Sequence, residues 1–189
     1  MDYKDWKQNY NKVYICKIFP ATWAQFSIHG QWKGITHGGS YPAVADRDEE
    51  HKDTKVHLDS NDKWFNNPQY RLSVTKKTTV IISLMQEDFW ISSKPYIPVN
   101  FLVVRVKSKR DRLWEVDRDD IEFEAATGIQ RFMQREVTAT LTLSPTYNGK
   151  PVHYIIVPNI EAEPYSSKDD RPFFLRVFAS EQIDLVELP

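Results

Sequence analysis

Short runs of alternating apolar and polar residues dominate this chain, and turn-forming residues separate most of them. Residues 136–143 show the pattern most clearly, because valine, alanine and leucine alternate there with three threonines. This alternation is typical of a strand with one face on a core and the other in water. Alternating or continuously apolar runs predict strands at residues 13–19, 23–28, 70–74, 79–85, 101–106, 112–116, 121–123, 136–143, 152–157, 173–178 and 183–188.

Some of these runs predict more than a strand. Residues 70–74 and 79–85 are separated by a short polar segment, which predicts a hairpin, and the second run is apolar enough to be buried on both faces. Pro158 is expected to end the strand at 152–157, because proline cannot donate to a ladder. The best helix candidate, residues 125–134, contains a glycine. We therefore predict an all-β fold, an antiparallel β-sandwich of about eight to ten strands.

The length of the chain suits one domain, so we assign residues 1–189 to a single β-sandwich domain. Residues 1–12 are polar and mixed in charge, and we treat them as a lead-in. Residues 42–63 carry many charges without apolar periodicity, which indicates a long surface loop between two strand regions.

Composition excludes several classes of protein. The 25 basic and 26 acidic residues nearly cancel, so no overall field attracts nucleic acid, and no nucleic-acid-binding motif is present. No apolar run approaches the roughly 18 residues of a membrane span, and the first residues lack the apolar segment of a signal peptide. The one cysteine, Cys16, cannot form an internal disulfide. We expect a cytoplasmic protein that does not bind nucleic acid.

Cys16 is the only candidate cysteine nucleophile, and it would need a positioned base such as one of the histidines. It lies in the middle of an apolar strand-like run, which favours a small buried hydrophobic residue instead. We therefore expect no catalytic residue and no enzyme activity in this chain itself.

One acidic group is a candidate for calcium, which takes six to eight oxygen ligands from flexible loops. It lies between two short predicted strands, and Arg118 among the acids makes mutual ion pairing the alternative. Calcium is the one cofactor that the sequence leaves open, and its candidate ligands are Asp117, Asp119, Asp120 and Glu122.

The densest basic cluster directly follows the run at 101–106. It would suit the headgroups of an anionic membrane or an acidic surface of a neighbouring domain. Asp111 interrupts it, and a solvated hairpin turn is the alternative. The candidate lipid-binding or partner-binding residues are Lys107, Lys109, Arg110 and Arg112.

Five short motifs, taken in order, resemble a known family. They are GQWKG at 30–34, THGG at 36–39, NNPQYRL at 66–72, YIIVP at 154–158 and PFFLRVF at 172–178. Together they resemble the β-sandwich domain of calpains, which is called domain III or the C2-like domain. The resemblance gives a structural role to Gly30, Trp32, Gly34, Gly38, Gly39, Asn67, Pro68, Tyr70, Pro158 and Phe174.

The motif residues also have physical roles of their own. Glycines 34, 38 and 39 permit positive φ and close approach of the backbone where the chain leaves the first strand region. Trp32 offers a large apolar body whose single N–H needs a partner. Pro68 pushes the residue before it towards an extended conformation.

The resemblance implies a non-catalytic regulatory or scaffolding domain of a larger intracellular cysteine protease. Such a domain packs on the protease core and on other domains of the parent protein, and it is thought to bind acidic phospholipid or calcium. Residues 75–78 (TKKT) replace the long acidic loop of the best-studied members, so the chain most resembles atypical calpains without EF-hands. The alternative function is a stand-alone C2-type module for membrane targeting or protein interaction.

Overall fold

A computed structural model describes residues 2–9, 18–39, 62–106, 111–114, 122–126, 134–160 and 170–189. Two short helices, α1 (Tyr3–Asn9) and α2 (Phe89–Ser92), and two 3-10 turns, Gly34–Thr36 and Asp62–Asn66, accompany the strands. The strands are β1 (Ala24–Trp32), β2 (Gln69–Val74), β3 (Thr78–Gln86), β4 (Val99–Val106), β5 (Glu122–Ala126), β6 (Glu136–Leu143), β7 (Thr146–Tyr147), β8 (Lys150–Pro151), β9 (His153–Ile160), β10 (Arg171–Ala179) and β11 (Ile183–Leu188).

The strands form two antiparallel sheets packed face to face. One has four strands in the order β1-β10-β3-β6, and the other has five in the order β11-β2-β9-β4-β5. Strands β7 and β8 form a small separate hairpin. The predicted all-β sandwich is confirmed.

The main core lies between the two sheets. Alternate residues of each strand point into it, and they include fully buried Leu72, Ile82, Phe101 and Leu175. This alternation is the physical reason that the period of two in the sequence identified most strands correctly.

A second core covers the outer face of the five-stranded sheet. Trp64 and Phe65 of the second 3-10 turn pack there, together with Leu113, against Leu102 and Ile155 of the central strands. Strands β4 and β9 are therefore buried on both faces, which explains why both appear in the sequence as nearly continuous apolar runs.

The predicted hairpin of residues 70–74 and 79–85 is wrong. Strand β2 pairs with β11 and β9, whereas β3 pairs with β10 and β6, so the short segment between them crosses from one sheet to the other. A short polar connection between two apolar runs fits a hairpin and a corner between sheets equally well. The prediction that β3 is buried on both faces is confirmed.

Two further expectations need correction. Arg112–Trp114 of the predicted strand 112–116 is not a strand, because these residues bond to the 65–69 region through side chains rather than through a ladder. Residues 125 and 126 of the helix candidate belong to β5, and Gln134 is not helical. The remainder of both segments lies outside the described residues.

Pro158 does not end its strand, since β9 continues to Ile160. The pairing of β9 with β2 stops at Ile156, whereas its pairing with β4 continues to the end. Beyond Ile156 one side of β9 therefore needs no backbone donor, and a proline fits there.

The N-terminal part of the chain has local structure that the sequence did not predict. The lead-in contains α1, whose first turn is capped by the Asp2 carboxylate, which accepts from the backbone N–H groups of Lys4 and Asp5. Most of the predicted loop at 42–63 and residues 13–17 of the first predicted strand lie outside the described residues. The last two residues of that predicted strand, Ile18 and Phe19, are not in a strand, and the Phe19 ring instead stacks on Phe178, with ring centroids 4.1 Å apart.

Candidate interaction surface

Asn67 is the centre of a buried hydrogen-bond network that joins two motifs to the residue that follows a third. Its side-chain nitrogen donates to the carbonyl oxygens of Gly39 and Trp64 and to the side-chain oxygen of Asn159, over 2.8–3.0 Å. Its side-chain oxygen accepts from the Gly38 N–H at 3.2 Å. Asn67 and Asn159 are both fully buried, so this network fixes the 37–39 loop to the five-stranded sheet.

The glycines of the first two motifs meet the expectations made for them. Gly34 and Gly39 have positive φ, at 53° and 77°. Gly38 is needed for space instead, because a Cβ there would lie 2.3 Å from the Lys63 carbonyl oxygen. Gly30 likewise leaves room for the ring of Phe173, whose nearest atom would lie 2.1 Å from a Cβ.

Trp32 supplies the apolar body that its motif predicts. Its indole is 1 % exposed and lies against the Phe173 ring, with centroids 4.4 Å apart. Its N–H donates to the Pro158 carbonyl oxygen at 3.2 Å, so the donor finds its partner in another motif. Tyr70 is also fully buried, and burial together with the charge of Glu187 raises the pKa of its hydroxyl.

The remaining motif positions lie beside these residues. Pro68 leads from Asn67 into β2, and Phe174 lies on the outer face of the four-stranded sheet against the His29 ring, with centroids 4.4 Å apart. Through these contacts the motif residues join the two sheets to each other and to the 37–39 loop.

Arg112 is the one described member of the predicted basic cluster. Its guanidinium donates to the carbonyl oxygens of Phe65, Asn67 and Pro189 at 2.9–3.0 Å. Burial lowers the pKa of this guanidinium. These bonds give Arg112 a structural role, and lipid or partner binding by it stays a prediction.

The other predicted site residues cannot be placed. Lys107, Lys109, Arg110, Asp117, Asp119 and Asp120 lie outside the described residues, and of Glu122 only the backbone, at the start of β5, is described. Within the described ranges, no group of three or more histidine, cysteine, aspartate or glutamate side chains could hold a metal ion. Calcium binding therefore stays a prediction.

A cluster of exposed apolar side chains, which the sequence reasoning missed, lies at one end of the sandwich. Helix α2 follows β3 and presents Trp90 at 88 % exposure, Ile91 at 75 % and Phe89 at 42 %. We name Phe89, Trp90 and Ile91 the apolar tip. Three adjacent large apolar residues in water are unusual for a protein surface and indicate an interaction site.

Local hydrogen bonds hold the apolar tip in place. Asp88 caps α2 by accepting from the Trp90 N–H at 3.0 Å, and Ser93 ends the helix in the left-handed region, at φ 55°. Gln86 closes the base of the loop, because its side-chain nitrogen donates to the carbonyl oxygens of Ile97 and Gln134. The apolar residues are therefore exposed on a fixed loop.

Several charged residues around the apolar tip are paired within the part of the chain that the structure describes. Lys33 pairs with Asp170 at 3.7 Å and Arg135 pairs with Asp88 at 3.5 Å. Lys94 donates to the Asp170 carbonyl oxygen at 3.2 Å and ties the α2 loop to the start of β10. Arg171 likewise donates to the Pro95 carbonyl oxygen at 3.2 Å. Among the described residues at this end, Asp88 and Asp170 therefore compensate the charges of Arg135 and Lys33.

His37 lies at the same end, directly after the first 3-10 turn, and is 9 % exposed. Neither of its ring nitrogens has a hydrogen-bond partner among the described residues. Burial lowers the pKa of the imidazole, and the charge of Arg171 lowers it further. The folded protein therefore holds His37 neutral near pH 7.

We expect the protein to lose stability on acidification because of His37. Unfolded chains protonate histidine near pH 6.5, whereas the folded state resists protonation, so stability falls as the pH drops from about 6.5 towards the folded pKa. The slope from one such group is at most about 1.4 kcal/mol per pH unit. Urea unfolding of the unsubstituted chain and of the His37→Leu variant, from pH 7.5 to pH 5, measures this effect.

The comparison isolates His37 from the other histidines, which both proteins share. As the pH falls over this range, the free energy of unfolding is expected to decrease less for His37→Leu than for the unsubstituted chain. Equal losses in the two proteins would assign the acid sensitivity to other groups.

No described helix has both the length and the apolar character needed to span a bilayer.

The two sheets and the motif residues that join them define a β-sandwich domain of the calpain type. A family model described as "Calpain large subunit, domain III" matches residues 56–178. The chain belongs to this family, and it is therefore a non-catalytic domain of the kind that calpain-type cysteine proteases carry.

Similar proteins extend far beyond the length of this chain. The calpain-type cysteine protease DEK1 of Zea mays is 26 % identical over 204 residues, which cover 98 % of this chain and 8 % of that protein. Human Calpain-9 is 24 % identical, over 96 % of this chain and 25 % of its own length. Mouse Calpain-9 is 27 % identical, over 100 % of this chain and 28 % of its own length. The chain thus spans less than a third of each of these relatives.

Among solved structures, a chain from the crystal structure of Israel acute paralysis virus aligns with 96 % of this chain and 84 % of its own length. The sequence identity is 12 % and the TM-score is 0.35. A likeness this weak supports no conclusion about function.

Proposed function

We propose that the chain is a regulatory or scaffolding module of a calpain-type cysteine protease and that its apolar tip packs against another part of the same polypeptide. The observation that carries the proposal is the exposure of Trp90 and Ile91 on a capped, hydrogen-bonded loop. A rigid apolar surface loses little entropy when it is buried, so it suits a permanent contact between domains.

The surroundings of the apolar tip favour a protein surface over an anionic membrane. Anionic membranes attract clusters of basic residues, at about 1 kcal/mol per residue. Among the described residues, Lys33 and Arg135 are already paired with Asp170 and Asp88, so their charges are compensated within the protein. An apolar centre with a rim of paired charges resembles the interfaces between protein domains.

The lengths of the relatives support a partner within the same polypeptide. This chain corresponds to 25 % of human Calpain-9 and to 8 % of DEK1, so such proteins have extensive surface elsewhere on which a domain of this kind can dock. The protease activity of the parent protein, its protease core as the partner and a cytoplasmic location are part of this proposal.

A second candidate function is membrane attachment through the same residues. An exposed tryptophan beside isoleucine and phenylalanine also suits the interface of a lipid bilayer, where indole rings concentrate. This function would agree with the phospholipid binding that the family resemblance implies. The two functions differ in whether the apolar tip meets protein or lipid, and an experiment can separate them.

We expect the double substitution Trp90→Ser and Ile91→Ser to weaken docking without unfolding the domain. Central aromatic residues of an interface typically contribute 2 kcal/mol or more, so we expect affinity for the rest of the parent protein, added in trans, to fall by about 30-fold. Calorimetric titration measures it. Trp114→Ser is the matched control, because Trp114 is half-exposed on a different face and contacts Arg112.

Vesicle sedimentation supplies the opposing outcome. We expect the chain to remain in solution with phosphatidylserine-containing vesicles at low salt, with or without calcium. If the chain sediments with the vesicles and the Trp90→Ser and Ile91→Ser substitutions abolish this, the apolar tip binds a membrane. Equal loss of docking affinity from Trp114→Ser would also contradict the proposal.

A further inference from the structure

Strand β6 is an edge strand of the four-stranded sheet. Among the residues that the structure describes, it pairs only with β3. Alternate backbone N–H and C=O groups of an edge strand point away from its neighbour, and they form a template for a further strand. Strand β6 offers this template over eight residues, Glu136–Leu143.

The β6 edge lacks the features by which proteins usually block strand pairing. It has no proline, and after Glu136 it has no charged residue. The edge strands of the five-stranded sheet differ, because β5 and β11 each carry two acidic residues within five or six positions. The opposite edge strand, β1, contains Gly30, over which the Phe173 ring lies, and glycine weakens the interior of a strand.

The two faces of β6 differ in character and would continue across a new strand. Thr138, Thr140 and Thr142 are exposed on the outer face. Ala139 and Leu141 point inwards and pack on the main core, yet they are only half-buried because the sheet ends beside them. A further strand of the same alternation would complete their burial.

We propose that β6 pairs with β6 of a second copy of this chain. The two strands run antiparallel about a two-fold axis, with Thr140 opposite its own counterpart. In this register Thr138 lies opposite Thr142, and Ala139 lies opposite Leu141. The two four-stranded sheets then join into one continuous sheet.

The chemistry of the strand favours a second copy over an unrelated segment. Each threonine meets a threonine and each apolar residue meets an apolar residue, because the alternation is symmetric about Thr140. The one charged residue, Glu136, falls opposite Ser144 and away from its own counterpart, so no like charges meet. A self-complementary patch of this kind is what a two-fold dimer interface requires. This proposal is independent of the apolar tip.

Sedimentation equilibrium of the 189-residue chain tests the proposal. We expect a reversible dimer with a dissociation constant between about 10 µM and about 1 mM, the range of weak association. Thr140→Lys places two like charges opposite each other across the axis, and we expect it to raise the dissociation constant by about tenfold or more. An equal mixture of Thr140→Lys and Thr140→Glu is expected to form dimers again, because opposite charges then meet.

Gln25→Lys on the exposed face of β1 is the matched control, and we expect it to leave the dissociation constant unchanged. Circular dichroism melting of each variant verifies that it is folded. The proposal is overturned if the unsubstituted chain is monomeric at every concentration. It is also overturned if the Thr140→Lys variant dimerises as strongly as the unsubstituted chain. Binding of a synthetic 136–143 peptide to a chain that stays monomeric would assign the edge to a peptide partner instead.

Discussion

Replacing Asn67 with alanine is expected to lower the free energy of unfolding by about 3–4 kcal/mol. The amide makes four hydrogen bonds in a site with no exposure to water. Its removal deletes the acceptor of the Gly38 N–H and the donor to the side-chain oxygen of Asn159. An unsatisfied buried group costs about 1–3 kcal/mol, so the loss exceeds that of one ordinary hydrogen bond.

Urea unfolding followed by tryptophan fluorescence measures the effect. Asn9→Ala is the control, because the Asn9 amide makes one exposed hydrogen bond, to the Asp5 carbonyl oxygen. We expect the control to change stability by less than about 0.5 kcal/mol. A loss below about 1 kcal/mol for Asn67→Ala would mean that water replaces the amide and that the network does not hold the 37–39 loop.

Much of the fold could be predicted from the sequence because strand burial imposes a period of two. Strand β6 was predicted with its observed bounds, since one of its faces meets the core and the other meets water. The pairing of strands could not be predicted as well. The β2–β3 connection is short and polar, and nothing in it records that it joins two sheets rather than two neighbours.

The apolar tip was not predicted from the sequence, because the candidate sites proposed there were clusters of charged residues. The basic and acidic clusters were the predicted ligand sites. In the structure, the guanidinium of Arg112 donates to backbone carbonyl oxygens. Phe89, Trp90 and Ile91 look like core residues in sequence. Only the structure reveals that they follow the end of a buried strand and lie in solvent. The aspartate before them, Asp88, was the available signal, since it caps a short helix.

The structural needs of the motif residues could be predicted from the sequence, unlike the apolar tip, because these needs depend on local geometry. Trp32 and Gly38 were each given a physical need, for a hydrogen-bond acceptor and for space. The structure supplies both, through the Pro158 carbonyl oxygen and the close approach of Lys63. Their partners are 126 residues and 25 residues away in the sequence, so the needs could be predicted and the partners could not.

Replacing Gly38 with alanine is expected to cost about 3 kcal/mol, the upper range for overpacking. The new methyl carbon would lie 2.3 Å from the Lys63 carbonyl oxygen and 3.0 Å from the Asn67 backbone nitrogen. Both are backbone atoms, so no side-chain rotation relieves the clash. The 37–39 loop would have to move away from the second 3-10 turn and would break the hydrogen bond between the Gly38 N–H and Asn67.

Gly149→Ala separates this clash from the general cost of replacing glycine. Gly149 has a φ of 74° but no atom within 4 Å of a Cβ, so alanine there meets backbone strain alone, at about 1 kcal/mol. Urea unfolding of both variants gives the difference, and equal losses would contradict the clash. The Gly38→Ala and Asn67→Ala double variant is expected to lose less than the sum of the two single losses, because both substitutions break the same network.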